Sequence, residues 1–90
     1  MSNSLAVKFE DNAWDDYQYW QAHDKQQVKR INKLINDARR NPFTGLGKPE
    51  ALKGDLAGFW SRRIDREHRL VYTVMGDDIV IAMCRYHYGR

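Results

Sequence analysis

The sequence predicts an α+β fold: two N-terminal helices packed on one face of a twisted, mainly antiparallel β-sheet. Three observations lead there. Apolar residues recur at helical spacing between Ala13 and Ala38. The stretch from Phe59 to Arg85 divides into three strand-like runs separated by short polar turns. The length, 90 residues, allows one compact core and not two, so a single domain over residues 1–90 is expected. Met1–Ser4 would be a flexible extension before it.

Leu5, Val7 and Phe9 alternate with Ala6 and Lys8, the pattern of a short half-buried strand that stops at Glu10-Asp11-Asn12. Asn12 can cap a helix whose first turn holds Asp15 and Asp16. Ala13, Trp14, Tyr17, Trp20 and Gln21 carry that helix from about 13 to 22, with an aromatic face that suits a core. Asp24 with Gln27 resembles a capping box and starts a second helix. Val28, Ile31, Leu34, Ile35 and Ala38 form its apolar stripe, with Lys25, Lys29, Arg30 and Lys33 off it. It should end near Arg40, because Pro42 disfavours helical geometry at Asn41.

Residues 43–58 hold four of the six glycines together with Pro49, and therefore read as a loop. Glu50-Ala51-Leu52-Lys53 can form a very short strand within it. A loop this long in so small a domain is usually functional, which draws attention to Glu50 and Lys53.

The last third reads as strands 59–65, 69–75 and 79–85, joined by turns 66–68 and 76–78 and hence antiparallel. The run Ile79 to Cys84 is apolar on both faces, as in a central strand. If both turns contain three residues, residue 65 pairs with 69 and 75 with 79. Trp60, Ile64, Leu70, Tyr72, Val74, Val80, Ala82 and Tyr86 then form the floor for the helices. Ser61, Arg63, Arg69, Thr73, Arg85 and His87 face the other way, with Arg69 opposite Arg85 and His87 a diagonal neighbour. Arg62 looks to the helix side or its rim, and Arg66 belongs to the turn. Like charges directly opposite repel, so an anion is the simplest reason to gather these arginines.

Composition narrows the chemistry. Formal net charge is +3, with basic residues concentrated between 25 and 69 and acids crowding the first helix. This asymmetry favours nucleic acid or an acidic protein partner over a membrane. No apolar run approaches the roughly 18 residues that span a bilayer, and the first residues lack a signal-peptide pattern. A lone cysteine, Cys84, argues against a disulfide framework and for a cytoplasmic location. His23, His68 and His87 lack metal-ligand spacing, and no glycine-rich phosphate loop precedes a helix, so no cofactor is expected.

What remains is chemistry on a phosphodiester without a metal. RNA supplies its own nucleophile, the 2′-hydroxyl; the protein must remove that proton, stabilise charge on phosphorus oxygens and protonate the leaving 5′-oxygen. Glu50, Arg69 with Arg63, and His87 meet those needs, and Tyr86 and Tyr88 offer faces for an unstacked base. Plain structural roles are also open: Glu50 as a loop charge, Arg63 and Arg69 paired with Asp65 or Glu67, His87 as a frayed end. A non-catalytic RNA-binding or ribosome-binding module would use the same arginines.

The blocks Trp14-Asp15-Asp16-Tyr17, Tyr19-Trp20, Gly47-Lys48-Pro49-Glu50, Leu52-Lys53, Gly58 to Ile64, Glu67 to Tyr72 and Cys84 to Tyr88 closely resemble the Txe/YoeB family, a branch of the RelE-type toxin superfamily. The resemblance runs from about Leu5 to Tyr88. It implies a RelE-like, microbial-ribonuclease-like fold and a toxin of a type II toxin-antitoxin system. Such a toxin cuts mRNA in the ribosomal A site, leaving a 2′,3′-cyclic phosphate and a 5′-hydroxyl. It further implies Glu50 as general base, Arg69 as phosphate stabiliser, His87 as general acid and Tyr88 as a substrate contact, with Lys53 and Arg63 near the scissile phosphate. Ribosome, mRNA and a YefM-like antitoxin are the implied partners, and a homodimer stays open. A toxin of this fold that poisons gyrase would lack the Glu, Arg and His set. Gly89-Arg90 continue past the tyrosine at which relatives commonly end.

Overall fold

The computed structural model describes residues 4–86. Its elements are β1 (Ala6–Phe9), α1 (Asp11–His23), α2 (Lys25–Arg40), β2 (Glu50–Ala51), a 3₁₀ turn (Gly54–Leu56), β3 (Trp60–Arg63), β4 (Arg69–Met75) and β5 (Asp78–Met83). They form one five-stranded sheet in the order β1-β5-β4-β3-β2, antiparallel except for the β1–β5 pair. Both helices cover the same face. The core joins Ala13 and Trp20 of α1 and Ile31, Leu34, Ile35 and Ala38 of α2 to Ile64, Leu70, Tyr72, Ile79, Ile81 and Cys84.

The helix boundaries follow local chemistry, with two corrections to the expected caps. Asp24 caps α2, its carboxylate accepting from the backbone N–H groups of Gln26 and Gln27. The Gln27 amide does not return the bond; it donates to Asp65 at 2.8 Å and ties α2 to the β3–β4 turn. For α1 the cap position is Glu10 without a side-chain bond. Asn12 instead lies inside the helix and reaches the Ala82 carbonyl at 3.4 Å. The chain leaves α2 at Asn41, non-helical (φ −136°, ψ 76°) before Pro42 as anticipated.

Both expected turns differ in length. β3 ends at Arg63, which pairs directly with Arg69, so residues 64–68 form the turn. The cause is Asp65: its carboxylate accepts from the N–H groups of Glu67 and His68 at 2.8 and 2.7 Å and closes the chain early. The β4–β5 turn has only two residues between Met75 and Asp78, with Gly76 at φ +60° as the first of them, a position suited to glycine. That shortening moves Ile79 and Ile81, not Val80 and Ala82, onto the helix face. A bulge then intervenes: Tyr72 pairs with Ile81 but Val71 with Met83, leaving Ala82 unopposed and returning the strand to the anticipated parity. β5 is covered on both sides, since Val80, on the face away from the helices, is buried as well.

Beyond Met83 the chain leaves the sheet but not its neighbours. Asp16 accepts the Cys84 N–H at 3.0 Å, and Trp20 donates its indole N–H to the Cys84 carbonyl at 2.8 Å. Burial pushes the Asp16 carboxyl above its ordinary value, against the lowering effects of the Cys84 N–H and Arg85. The folded state therefore holds that proton more tightly than the unfolded chain, and the ionised carboxylate carries a net cost at neutral pH that disappears as pH falls below the ordinary value of 3.8. Asp16→Asn keeps an acceptor for Cys84 and removes the charge. Its thermal midpoint is expected above wild type at pH 7, with the gain fading in acid; a midpoint below wild type at pH 7 would contradict this. The Cys84 thiol is pushed up to about 12, chiefly by burial, so it is an inert core group.

Candidate functional site

Strand register builds the site. Glu50 pairs with Ser61, Ser61 with Val71 and Val71 with Met83, one row across the face opposite the helices. Arg63 and Arg69 form the next row, two residues along β3 and β4. Glu50 and Arg63 are thus diagonal neighbours, roughly 7–8 Å apart at the backbone. Lys53 precedes the 3₁₀ turn, and both it and Glu50 are exposed, lining a shallow surface cleft with Ala51 and Leu52. The loop stays in place because the Leu52 N–H donates to the Phe59 carbonyl and the Thr73 hydroxyl to the Gly58 carbonyl.

Arg69 is half-buried and oriented. Its Nη1 donates to the carbonyls of Asp65 at 2.8 Å, His68 at 3.1 Å and Arg66 at 3.4 Å. Its Nε and Nη2 have no partner among the described residues. The structural alternative for these arginines does not hold there either: among the described residues neither Arg63 nor Arg69 is ion-paired. Asp65 is already committed to two backbone N–H groups and Gln27. Burial alone would raise the Asp65 pKa, yet the N–H groups of His68 and Glu67 and the Gln27 amide hold it below the ordinary carboxylate value. Two like charges thus stand opposite each other with no described carboxylate paired to either, which costs stability unless an anion joins them.

Arg85 is not on this face. Its guanidinium lies 3.4 Å from the centre of the Tyr19 ring of α1 and 4.5 Å from that of Tyr86. Arg85 therefore does not stand opposite Arg69; the Tyr86 carbonyl does that, accepting the Arg69 N–H at 3.0 Å. Tyr86 has φ +66° and is part-exposed, so it is no floor for the helices. His87, Tyr88, Gly89 and Arg90 lie outside the described residues, as do Met1, Ser2 and Asn3. Among the described residues, no group of three or more His, Cys, Asp or Glu stands close enough to hold a metal ion. Nor is any helix among the described residues long and apolar enough to cross a membrane.

Sequence reasoning left two residues without their partners. Arg62 is fully buried, bonded through one guanidinium to Asp37 at 2.6 Å, the Tyr72 hydroxyl and the carbonyls of Asn41, Thr44 and Leu46. Its even position on β3 turns it to the helix side, as parity expected, but gives no sign of the loop carbonyls it binds. His68 was the other: its Nδ1 accepts the Tyr86 N–H at 2.7 Å.

Comparison with known proteins gives the class first. The profile described as "YoeB-like toxin of bacterial type II toxin-antitoxin system" matches residues 9–88. Toxin YoeB of Escherichia coli K12 is 62% identical over 84 residues, covering 93% of this chain and 100% of that protein. Among solved structures, the YoeB/ParE toxin from Agrobacterium tumefaciens superposes with a TM-score of 0.92 at 51% identity, covering 93% of this chain and 100% of that one. Two Staphylococcus aureus structures, a YoeB dimer and a YoeB-YefM complex, align at TM-scores of 0.87 and 0.86 with 51% and 50% identity, over 94% and 93% of this chain and 99% and 98% of theirs. This protein is a toxin of a type II toxin-antitoxin system. It belongs to the YoeB-like toxin family.

Proposed function

We propose that the protein is a metal-independent, ribosome-dependent endoribonuclease that cuts mRNA in the A site and stops translation, with residues 1–90 acting as one toxin domain. The observation that carries this reading is the Arg63–Arg69 cross-strand pair, uncompensated by any described carboxylate and sharing its face with Glu50. Glu50 takes the 2′-hydroxyl proton, the 2′-oxygen attacks phosphorus, and the 5′-oxygen departs with a proton from His87. Arg69, aimed by its three turn carbonyls, stabilises the charge that develops on the phosphoryl oxygens, with Arg63 and Lys53 beside it. Tyr88 holds the substrate.

The exposure of Glu50, Lys53 and Arg63 supports dependence on the ribosome. Charge stabilisation is strong only where water is excluded, and on this open face the RNA and ribosome would supply that exclusion. The site of action is then the cytoplasm. A YefM-like antitoxin is the natural neutralising partner, given that a half-identical chain is solved as a YoeB-YefM complex, and self-association follows the relative solved as a dimer.

Expression without an antitoxin is expected to arrest bacterial growth, and the Glu50→Ala/His87→Ala double variant to relieve the arrest. Each general acid or base contributes about 10²–10⁴-fold. A soluble double variant that arrests growth as fully as wild type would remove the catalytic assignment.

A further inference from the structure

The proposed general acid follows Tyr86 directly in the chain, so whatever holds Tyr86 sets where His87 begins. The main chain here is held at four points in three residues: Cys84 N–H by Asp16, Cys84 carbonyl by Trp20, Tyr86 N–H by His68 and Tyr86 carbonyl by the Arg69 N–H. Three of these anchors come from α1 or from the backbone ladder. The fourth is a side chain from the same turn whose carbonyls orient Arg69.

We propose that His68 is a positioning residue: its Nδ1, accepting the Tyr86 N–H, couples the β3–β4 turn that aims Arg69 to the C-terminal segment that carries His87. The bond is 2.7 Å long and the side chain only 13% exposed. An N–H is always a donor, so Nδ1 must be the acceptor and the imidazole neutral with its proton on Nε2. The surroundings suit that tautomer. Nε2 faces the Glu67 carboxylate at 3.7 Å, and the ring is wedged edge-on against Trp20 with centroids 4.8 Å apart. Trp20 in turn holds Cys84, so one packed unit of Trp20 and His68 grips the segment at both ends. Tyr86 adopts φ +66°, a conformation that non-glycine residues rarely keep without such outside restraint.

The effect on rate rests on the cleavage reading above; the hydrogen bond does not. The test uses the full chain with three His68 variants. Asparagine places its Oδ1 where Nδ1 stands, glutamine reaches past it, and phenylalanine keeps the ring without an acceptor. Two quantities are read: exchange protection of the Tyr86 amide, and kcat and KM for ribosome-dependent mRNA cleavage. His68→Phe and His68→Gln are expected to lose at least tenfold in Tyr86 protection and in kcat, with little change in KM. His68→Asn should restore both to within about threefold of wild type. Nitrogen chemical shifts of wild-type His68 provide a readout that needs no variant, and should show the proton on Nε2. A wild-type proton on Nδ1, unchanged Tyr86 protection in His68→Phe, or an Asn variant as impaired as the Phe variant would each overturn the proposal. His87→Ala, measured in parallel, separates the two readings: full activity there removes the cleavage assignment while Tyr86 protection still reports on His68.

Discussion

Arg62→Met is expected to cost about 3–5 kcal/mol, the usual consequence of removing one member of a buried, hydrogen-bonded ion pair. A domain of this size has about twice that in total at most, so much of the population should unfold near physiological temperature. The reason is the number of groups one side chain satisfies. The Asp37 carboxylate, the Tyr72 hydroxyl and three loop carbonyls converge on the Arg62 guanidinium. Those carbonyls belong to residues 41–46, the segment joining α2 to the loop that leads to Glu50. The segment is tightly packed: a side chain at Gly45 would collide with the Asp37 carboxylate, and one at Gly47 would meet Leu34 at 2.8 Å. Thermal unfolding of Arg62→Met and Arg63→Met checks this. The exposed neighbour is expected within a few degrees of wild type; equal destabilisation of the two would contradict the account.

The same pair predicts an acid limb. The Leu46 N–H, then the Arg62 guanidinium, hold the Asp37 carboxyl below its ordinary value of 3.8. A depressed folded pKa means that the folded state binds this proton more weakly than the unfolded chain. Its stabilising contribution is complete above the ordinary value and is lost as pH falls through the lower folded one.

Arg69→Lys is expected to lower cleavage by about 10²-fold or more, the scale of losing one preorganised donor at a developing oxyanion. Lysine keeps the charge but not the fork. Arg69 uses Nη1 on three carbonyls, and on the proposed reading its Nε and Nη2 would make a planar, two-point grip on phosphate that lysine cannot. Stability should respond differently. Arg63 stands directly across from Arg69, and removing a like charge at such a position relieves about 0.2–1 kcal/mol. Arg63→Gln should therefore melt no lower than wild type while losing activity. A marked fall in melting temperature would assign Arg63 a structural role instead.

How much of this was legible follows from what each signal depends on. The helices depend on side-chain period and on Asp24 and Pro42, all local, and they appeared where expected. The face shared by Glu50, Arg63 and Arg69 depends on parity, which survived two errors on its far side. The turn at Gly76 is one residue shorter than expected, and the bulge at Ala82 adds that residue back before the strand ends. Neither is visible in a count of apolar residues, because both are set by backbone conformations that glycine and an unpaired residue permit. The β1 strand was legible, but not that it would pair parallel to β5 across the whole chain. Arg62 faces the helix side as parity placed it, but the loop carbonyls that receive it come from a distant segment; Arg85 was misplaced on the site face because the Tyr19 ring that receives it is equally distant in sequence.

The central claim is 2′-hydroxyl attack at a site built from Glu50, Arg69 and His87. The most direct measurement is the chemistry of the product ends when mRNA is cut by the purified protein on programmed ribosomes. The account predicts a 2′,3′-cyclic phosphate on the upstream fragment and a 5′-hydroxyl on the downstream one, with no cleavage of mRNA carrying a 2′-deoxy nucleotide at the cut site. Fragments ending in 3′-hydroxyl, or equal cleavage of the 2′-deoxy substrate, would contradict it.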